Sequence, residues 1–182
     1  MGKIGSGVKA GFIGGLVSGV FIASVNIIIM TVYKEAYINM FKKASEKLTE
    51  EYGVELPQGS PEEVALVMYN LSRIQGSIYA ILMAVIIGIV VGAIVAKFYG
   101  KLPFKNPLAK ALLISYIILA IKTSLSLAFS GIGGFKPEEL GVSQEITVLS
   151  YITDIVSHTI LGLVIGALYG KWVLKAEEAL EL

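Results

Sequence analysis

Long apolar stretches alternate with short polar ones along this 182-residue chain. No charged residue falls between Lys9 and Lys34, or between Arg73 and Lys97. Two further stretches, about 108–132 and 146–170, are each interrupted by one charge, Lys122 and Asp154 respectively. A helix needs about 20 apolar residues to cross the hydrocarbon of a bilayer. The runs are continuous, which does not suit the alternating strands of a barrel. The pattern predicts an all-α integral membrane protein, a single membrane domain over 1–182. Its four transmembrane helices fall at about 10–33, 75–97, 108–131 and 146–171. Lys3 and Lys9 precede the first run, but it is too long for a signal-peptide core and lacks a small-residue cleavage site.

The polar stretches carry their own patterns. Residues 34–74 form a long loop in which Ala36, Ile38, Met40, Phe41 and Leu48 recur at helical spacing. The first span is therefore expected to continue outward as an amphipathic helix, followed by a turn over 53–59. Ser60-Pro61-Glu62-Glu63 matches a capping box with proline at the first helical position. The helix that it starts can run into the second span, which predicts a small external helical cap. Lys136-Pro137-Glu138-Glu139 repeats the device on a smaller scale.

Charge placement predicts orientation. Lys97, Lys101, Lys105 and Lys110 fill the loop between the second and third spans without an acid. Lys3 and Lys9 precede the first span, and Lys171 and Lys175 follow the fourth. The positive-inside rule then places both termini and the middle loop in the cytoplasm of a multi-pass cell-membrane protein.

Composition agrees with this class. Hydrophobic residues make up 55% of the chain and charged ones 16%, and mean hydropathy is +0.75. Soluble domains carry about 25% charge. A disordered chain, a coiled coil and a basic nucleic-acid-binding domain do not fit these figures. The net charge of +1 implies no polyanion surface. Cysteine is absent, which removes disulfides, thiolate metal sites and cysteine nucleophiles. Lysine and glutamate far outnumber arginine and aspartate, a bias that resembles thermophile composition.

Two repeated features stand out. Residues 87–94 (IGIVVGAI) resemble 161–168 (LGLVIGAL), and each segment is followed by Tyr-Gly-Lys, at 99–101 and 169–171. This suggests a two-helix hairpin duplicated about an axis along the membrane normal. Small residues also recur every fourth position: Gly7, Gly11, Gly15, Gly19 and Ala23 in the first span, and Gly76, Ala80, Ala84, Gly88, Gly92 and Ala96 in the second. Gly162, Gly166 and Gly170 continue the pattern in the fourth. Such faces let helix backbones approach closely in lipid. The spacing resembles that of glycine-zipper membrane segments, a packing pattern rather than a family. It would serve contacts within the chain, or contacts in a homo-oligomer or with other membrane subunits.

The chemistry inside the spans is sparse. Lys122 is the one basic residue within an apolar span, and Asp154 and His158 are the only aspartate and histidine in the chain. Counting about 1.5 Å per residue puts Lys122 and Asp154 each about 12–13 Å below one membrane edge, on consecutive antiparallel helices. Asn26 falls at about 10 Å. A charge in mid-membrane costs about 2.5–3.5 kcal/mol on insertion scales, so the two are expected to face each other. Ser126 and Ser150 are nearby hydroxyls, and His158 lies one turn below Asp154. The arrangement predicts a polar vestibule open to the outside that binds a solute or relays a proton; a register-fixing ion pair is the plainer reading.

One histidine and one intramembrane carboxylate do not make a metal site, and no cofactor is called for. Gly-x-Ser-x-Gly and phosphate-loop motifs are absent, so an enzyme is not expected. Two functions remain: a small transporter or channel using Lys122, Asp154 and His158, or a non-catalytic accessory subunit that binds other membrane chains.

Overall fold

The computed structural model describes residues 3–53, 60–129 and 143–178. Among these residues there are five helices and no strand: α1 (Lys3–Val32), α2 (Lys34–Tyr52), α3 (Pro61–Phe98), α4 (Pro107–Phe129) and α5 (Gln144–Glu178). Four of them, all but α2, are long and apolar enough to cross a membrane. The expected spans fall inside these helices, apart from residue 33 at the end of the first and residues 130 and 131 of the third. Those two, the body of the turn after Gly53 and the 136–139 motif lie outside the described residues.

The first helix does not continue unbroken into the loop. Tyr33 leaves the helical well (φ −101°, ψ 30°), and α2 begins as a separate helix. The reason lies in what α2 must cover. It packs on α3 and barely touches α1. Val64, Ala65 and Tyr69 of α3 are buried there, and the Tyr69 hydroxyl donates to the carbonyl of Met30 in the last turn of α1 (3.1 Å). Gly53 caps α2 in the left-handed conformation (φ 62°), with its N–H directed at the carbonyls of Leu48 and Thr49.

Ser60 starts α3 with a full capping box. Its hydroxyl accepts from Glu63 N (3.3 Å), and its own N–H donates to Glu63 Oε2 (2.9 Å). At 38 residues α3 is about 57 Å long, well beyond a hydrocarbon thickness of about 30 Å. Its first turns thus project past the apolar stretch and form a helical hairpin with α2.

α1 lies between α3 and α5, and α4 packs on α5 alone to any extent. α3 and α4 meet only lightly, and α1 and α4 do not pack together. Glycines set the closest seams. A Cβ added at Gly15 would lie 2.6 Å from the Ala84 carbonyl oxygen, and one at Gly88 would lie 2.8 Å from the Cα of Gly15. Gly11 and Gly88 each face the other's carbonyl more closely still, and Gly7 and Gly92 do the same. On the other side, Cβ atoms at Gly162 and Gly166 would lie 2.9 and 2.6 Å from the Cα atoms of Leu112 and Leu108. These small-residue faces are therefore occupied within one chain.

The apolar core sits at the 99–106 loop end, where Val91, Val95, Ala111, Ile114, Leu161 and Ile165 interlock. Tyr99 and Tyr169, the tyrosines of the two Tyr-Gly-Lys motifs, meet there edge to face with ring centroids 5.1 Å apart. Lys110, 7% exposed, stacks on the Tyr99 ring (4.0 Å) and donates to its carbonyl (2.6 Å).

Candidate functional site

Packing is tight at the loop end and loosens toward α2. There all four long helices line one cavity of about 440 Å³. Ile22 and Asn26 come from α1, and Tyr79, Ala80, Met83, Ala84 and Ile87 from α3. Lys122 comes from α4, and Ser150, Thr153 and Asp154 from α5. The walls are apolar on the α3 side and polar on the α4–α5 side.

Lys122 and Asp154 hold each other across the α4–α5 seam, with Nζ 2.6 Å from Oδ1. Depth explains the pairing: antiparallel helices in contact bring residues of equal depth together, and neither charge is stable alone in an apolar medium. The pair is not sealed into the core. The two side chains remain 43% and 30% exposed, and both line the cavity.

Most hydroxyls around the pair are satisfied by their own helix. Ser150 donates to the Ile146 carbonyl (2.9 Å), Thr153 to Leu149 (2.8 Å) and Ser157 to Asp154 (2.9 Å). Their lone pairs remain able to accept. His158, 4% exposed, lies one turn toward the core. Its Nδ1 is 2.9 Å from the Asp154 carbonyl oxygen, which can only accept, so a hydrogen bond there requires the proton on Nδ1. The ring's Nε2 is buried without a hydrogen-bond partner. Ser115 of α4 donates to the His158 carbonyl (2.7 Å), which ties α4 to α5 at this depth.

Lys122, Asp154, Asn26 and Ser150 therefore share one cavity, while His158 lies beneath it. Ser126 does not line it: one turn along from Lys122, it is exposed. Asn26 also lines a second cavity of about 190 Å³ nearer α2, with Tyr37, Ser72, Arg73 and Ser77. Burial there pushes the Tyr37 phenol above its ordinary range. Sequence reasoning missed Thr153, Tyr79, Met83 and Arg73. The signal for two of them was available, since Tyr79, Met83 and Ile87 share one helix face at four-residue spacing.

No family model, no curated protein and no solved structure matches this chain. Its class rests on its own residues: a helical protein with four candidate membrane spans around a partly polar cavity.

Proposed function

We propose that the chain is a small membrane carrier whose solute site is the cavity on the Lys122–Asp154 pair. The observation that carries this reading is the pair's exposure. An ion pair serving only to fix helix register would be covered by packing, whereas this one borders 440 Å³ of open space. Ionisable groups at membrane depth that face a cavity mark solute or proton pathways. Orientation follows from the lysines: both termini and the 99–106 loop face the cytoplasm of the cell membrane, and the cavity opens outward beneath the α2–α3 hairpin.

A solute bearing hydrogen-bonding or charged groups would compete for Lys122 and Asp154 and loosen their contact. The tight loop end, closed by Tyr99, Tyr169 and Lys110, is the opposite gate. The two helix pairs, α1 with α3 and α4 with α5, meet lightly at the α3–α4 seam and closely along α1 and α5, so any movement between them would turn about the α1–α5 contact. The edge-to-face meeting of the two repeated tyrosines supports reading these hairpins as a duplication.

The test is flux in reconstituted vesicles, with a proton-sensitive dye and a panel of small polar solutes inside. Asp154→Asn and Lys122→Met are each expected to abolish uptake while the protein stays monodisperse. Unchanged flux in both variants, or no flux of any kind in the wild-type protein, overturns the reading.

A further inference from the structure

Among the described residues, α3 and α4 both line the cavity and meet only lightly. On α4, Ile117, Ile121, Leu125 and Leu127 are all exposed, by 45–62%, and α3 covers little of that helix. On α3, Tyr79 lines the cavity and is nevertheless 64% exposed. The same Tyr79 lines a shallow groove of about 520 Å³ on the surface of α3, with Ile78 and Leu82 toward the cavity's depth and Ser72 and Gln75 at the other end. A path thus leads from the cavity of the ion pair, past Tyr79, to a mostly apolar groove on a face that lipid covers. A site reached only by water-soluble solutes has no use for such a path.

We infer that the cavity takes a bilayer amphiphile with a zwitterionic head, which enters sideways between α3 and α4. Lys122 receives the anionic part of the head and Asp154 the cationic part. A zwitterion replaces one ion pair with two, whereas a head of a single sign is repelled by one member of the pair. The cavity volume is in the range of ligand pockets, which are mostly apolar with a few placed polar groups. Ala80, Met83 and Ile87 flank the first carbons of the tail, and the groove beyond Tyr79 holds the rest.

This inference rests on the carrier reading of the same cavity, and binding without a gradient separates the two. The full chain in detergent is mixed with a zwitterionic lysophosphatidylethanolamine or an anionic lysophosphatidylglycerol, and adducts are counted by native mass spectrometry. One zwitterionic lipid per chain is expected, held about tenfold more tightly than the anionic one, a difference of about 1.4 kcal/mol. Ala80→Trp and Met83→Trp, which fill the cavity and leave the charges in place, should each lower binding about tenfold. Val17→Trp, on the lipid-facing side of α1, should leave it unchanged. Equal loading of both lipids, equal loading of all variants, or a lipid-free dimer would overturn the inference. An adduct without Asp154-dependent flux keeps it and overturns the carrier reading. Flux of a water-soluble solute without an adduct does the reverse.

Discussion

Lys122 Nζ lies 2.6 Å from Asp154 Oδ1, and the two residues sit on helices that are otherwise joined by close glycine contacts. Removing one partner strands the other at a depth where an isolated charge costs about 2.5–3.5 kcal/mol. The Lys122→Met/Asp154→Asn double variant should therefore melt closer to the wild-type protein than either single variant. The coupling energy should fall within about 0.5–3 kcal/mol. Thermal unfolding in detergent, followed by Trp172 fluorescence, measures it. Additive losses would show that the two charges do not depend on each other.

The glycine seams predict a contrast between positions. Gly88→Ala and Gly11→Ala would push a methyl group against the backbone of the facing helix and should each cost about 1–3 kcal/mol. Gly76 has nothing within 4 Å of an added Cβ, so Gly76→Ala should leave stability unchanged or raise it by about 0.5–1 kcal/mol through helix propensity. Melting temperatures of the three variants in one detergent decide the matter. Equal effects at Gly76 and Gly88 would contradict the close α1–α3 approach.

These two relationships show how far the residues alone could lead. The spans and the pairing of Lys122 with Asp154 were legible because a charge in hydrocarbon is costly and depth follows from counting. The glycine spacing announced close packing, but not that α1 and α3 would take each other as partners. In lipid, the side of a helix that faces protein and the side that faces solvent are both apolar, so a span carries little sense of direction. The cavity wall of Tyr79, Met83 and Ile87 stayed hidden for that reason, as did the exposure of the second half of α4 among the described residues. The break at Tyr33 was hidden too, because α2 obtains its apolar cover from α3, a partner distant along the chain.

The α2–α3 hairpin should respond to pH through Lys42 and Glu62, which form an ion pair well before the apolar stretch of α3. The hydrogen bond to Glu62, helped by its charge, raises the Lys42 pKa above its ordinary 10.5. The same bond lowers Glu62 below its ordinary 4.5. A lowered acid stabilises the fold above its unfolded pKa and loses that contribution as pH falls through its folded one; a raised base loses its contribution as pH rises through its folded value. The pair's small contribution to the hairpin should therefore be complete from about pH 4.5 to 10.5 and fade outside that window. Trypsin cleavage near Lys42 and Lys43, after brief incubation at each pH and return to neutrality with a crosslinker in place, reads the opening. Glu62→Gln should remove the acid limb, and an acid limb that persists in that variant would assign the transition to other groups.

His158 offers a test of the site's inner edge. Its Nδ1 faces a carbonyl that can only accept, and its Nε2 is buried without a partner. The neutral ring should therefore be the Nδ1-protonated tautomer, which nitrogen chemical shifts of the single labelled histidine report directly. A proton found on Nε2 instead would mean that the ring is turned, with Nε2 no longer bare.

The absence of cysteine makes access to the cavity measurable without background. Asn26→Cys and Ser150→Cys place a thiol on the cavity lining, while Ser157→Cys places one at a position only 2% exposed. With the cavity open outward, a membrane-impermeant thiol reagent added outside sealed cells should label the first two and spare the third. Labelling should be at least about tenfold faster at the lining positions, since a thiolate must form and the buried thiol is held out of water. Added zwitterionic lysolipid should slow labelling at Ser150→Cys by occupying the space between Lys122 and Asp154. Labelling from the inside alone would reverse the orientation, and failure to label either lining position from both sides would remove the vestibule.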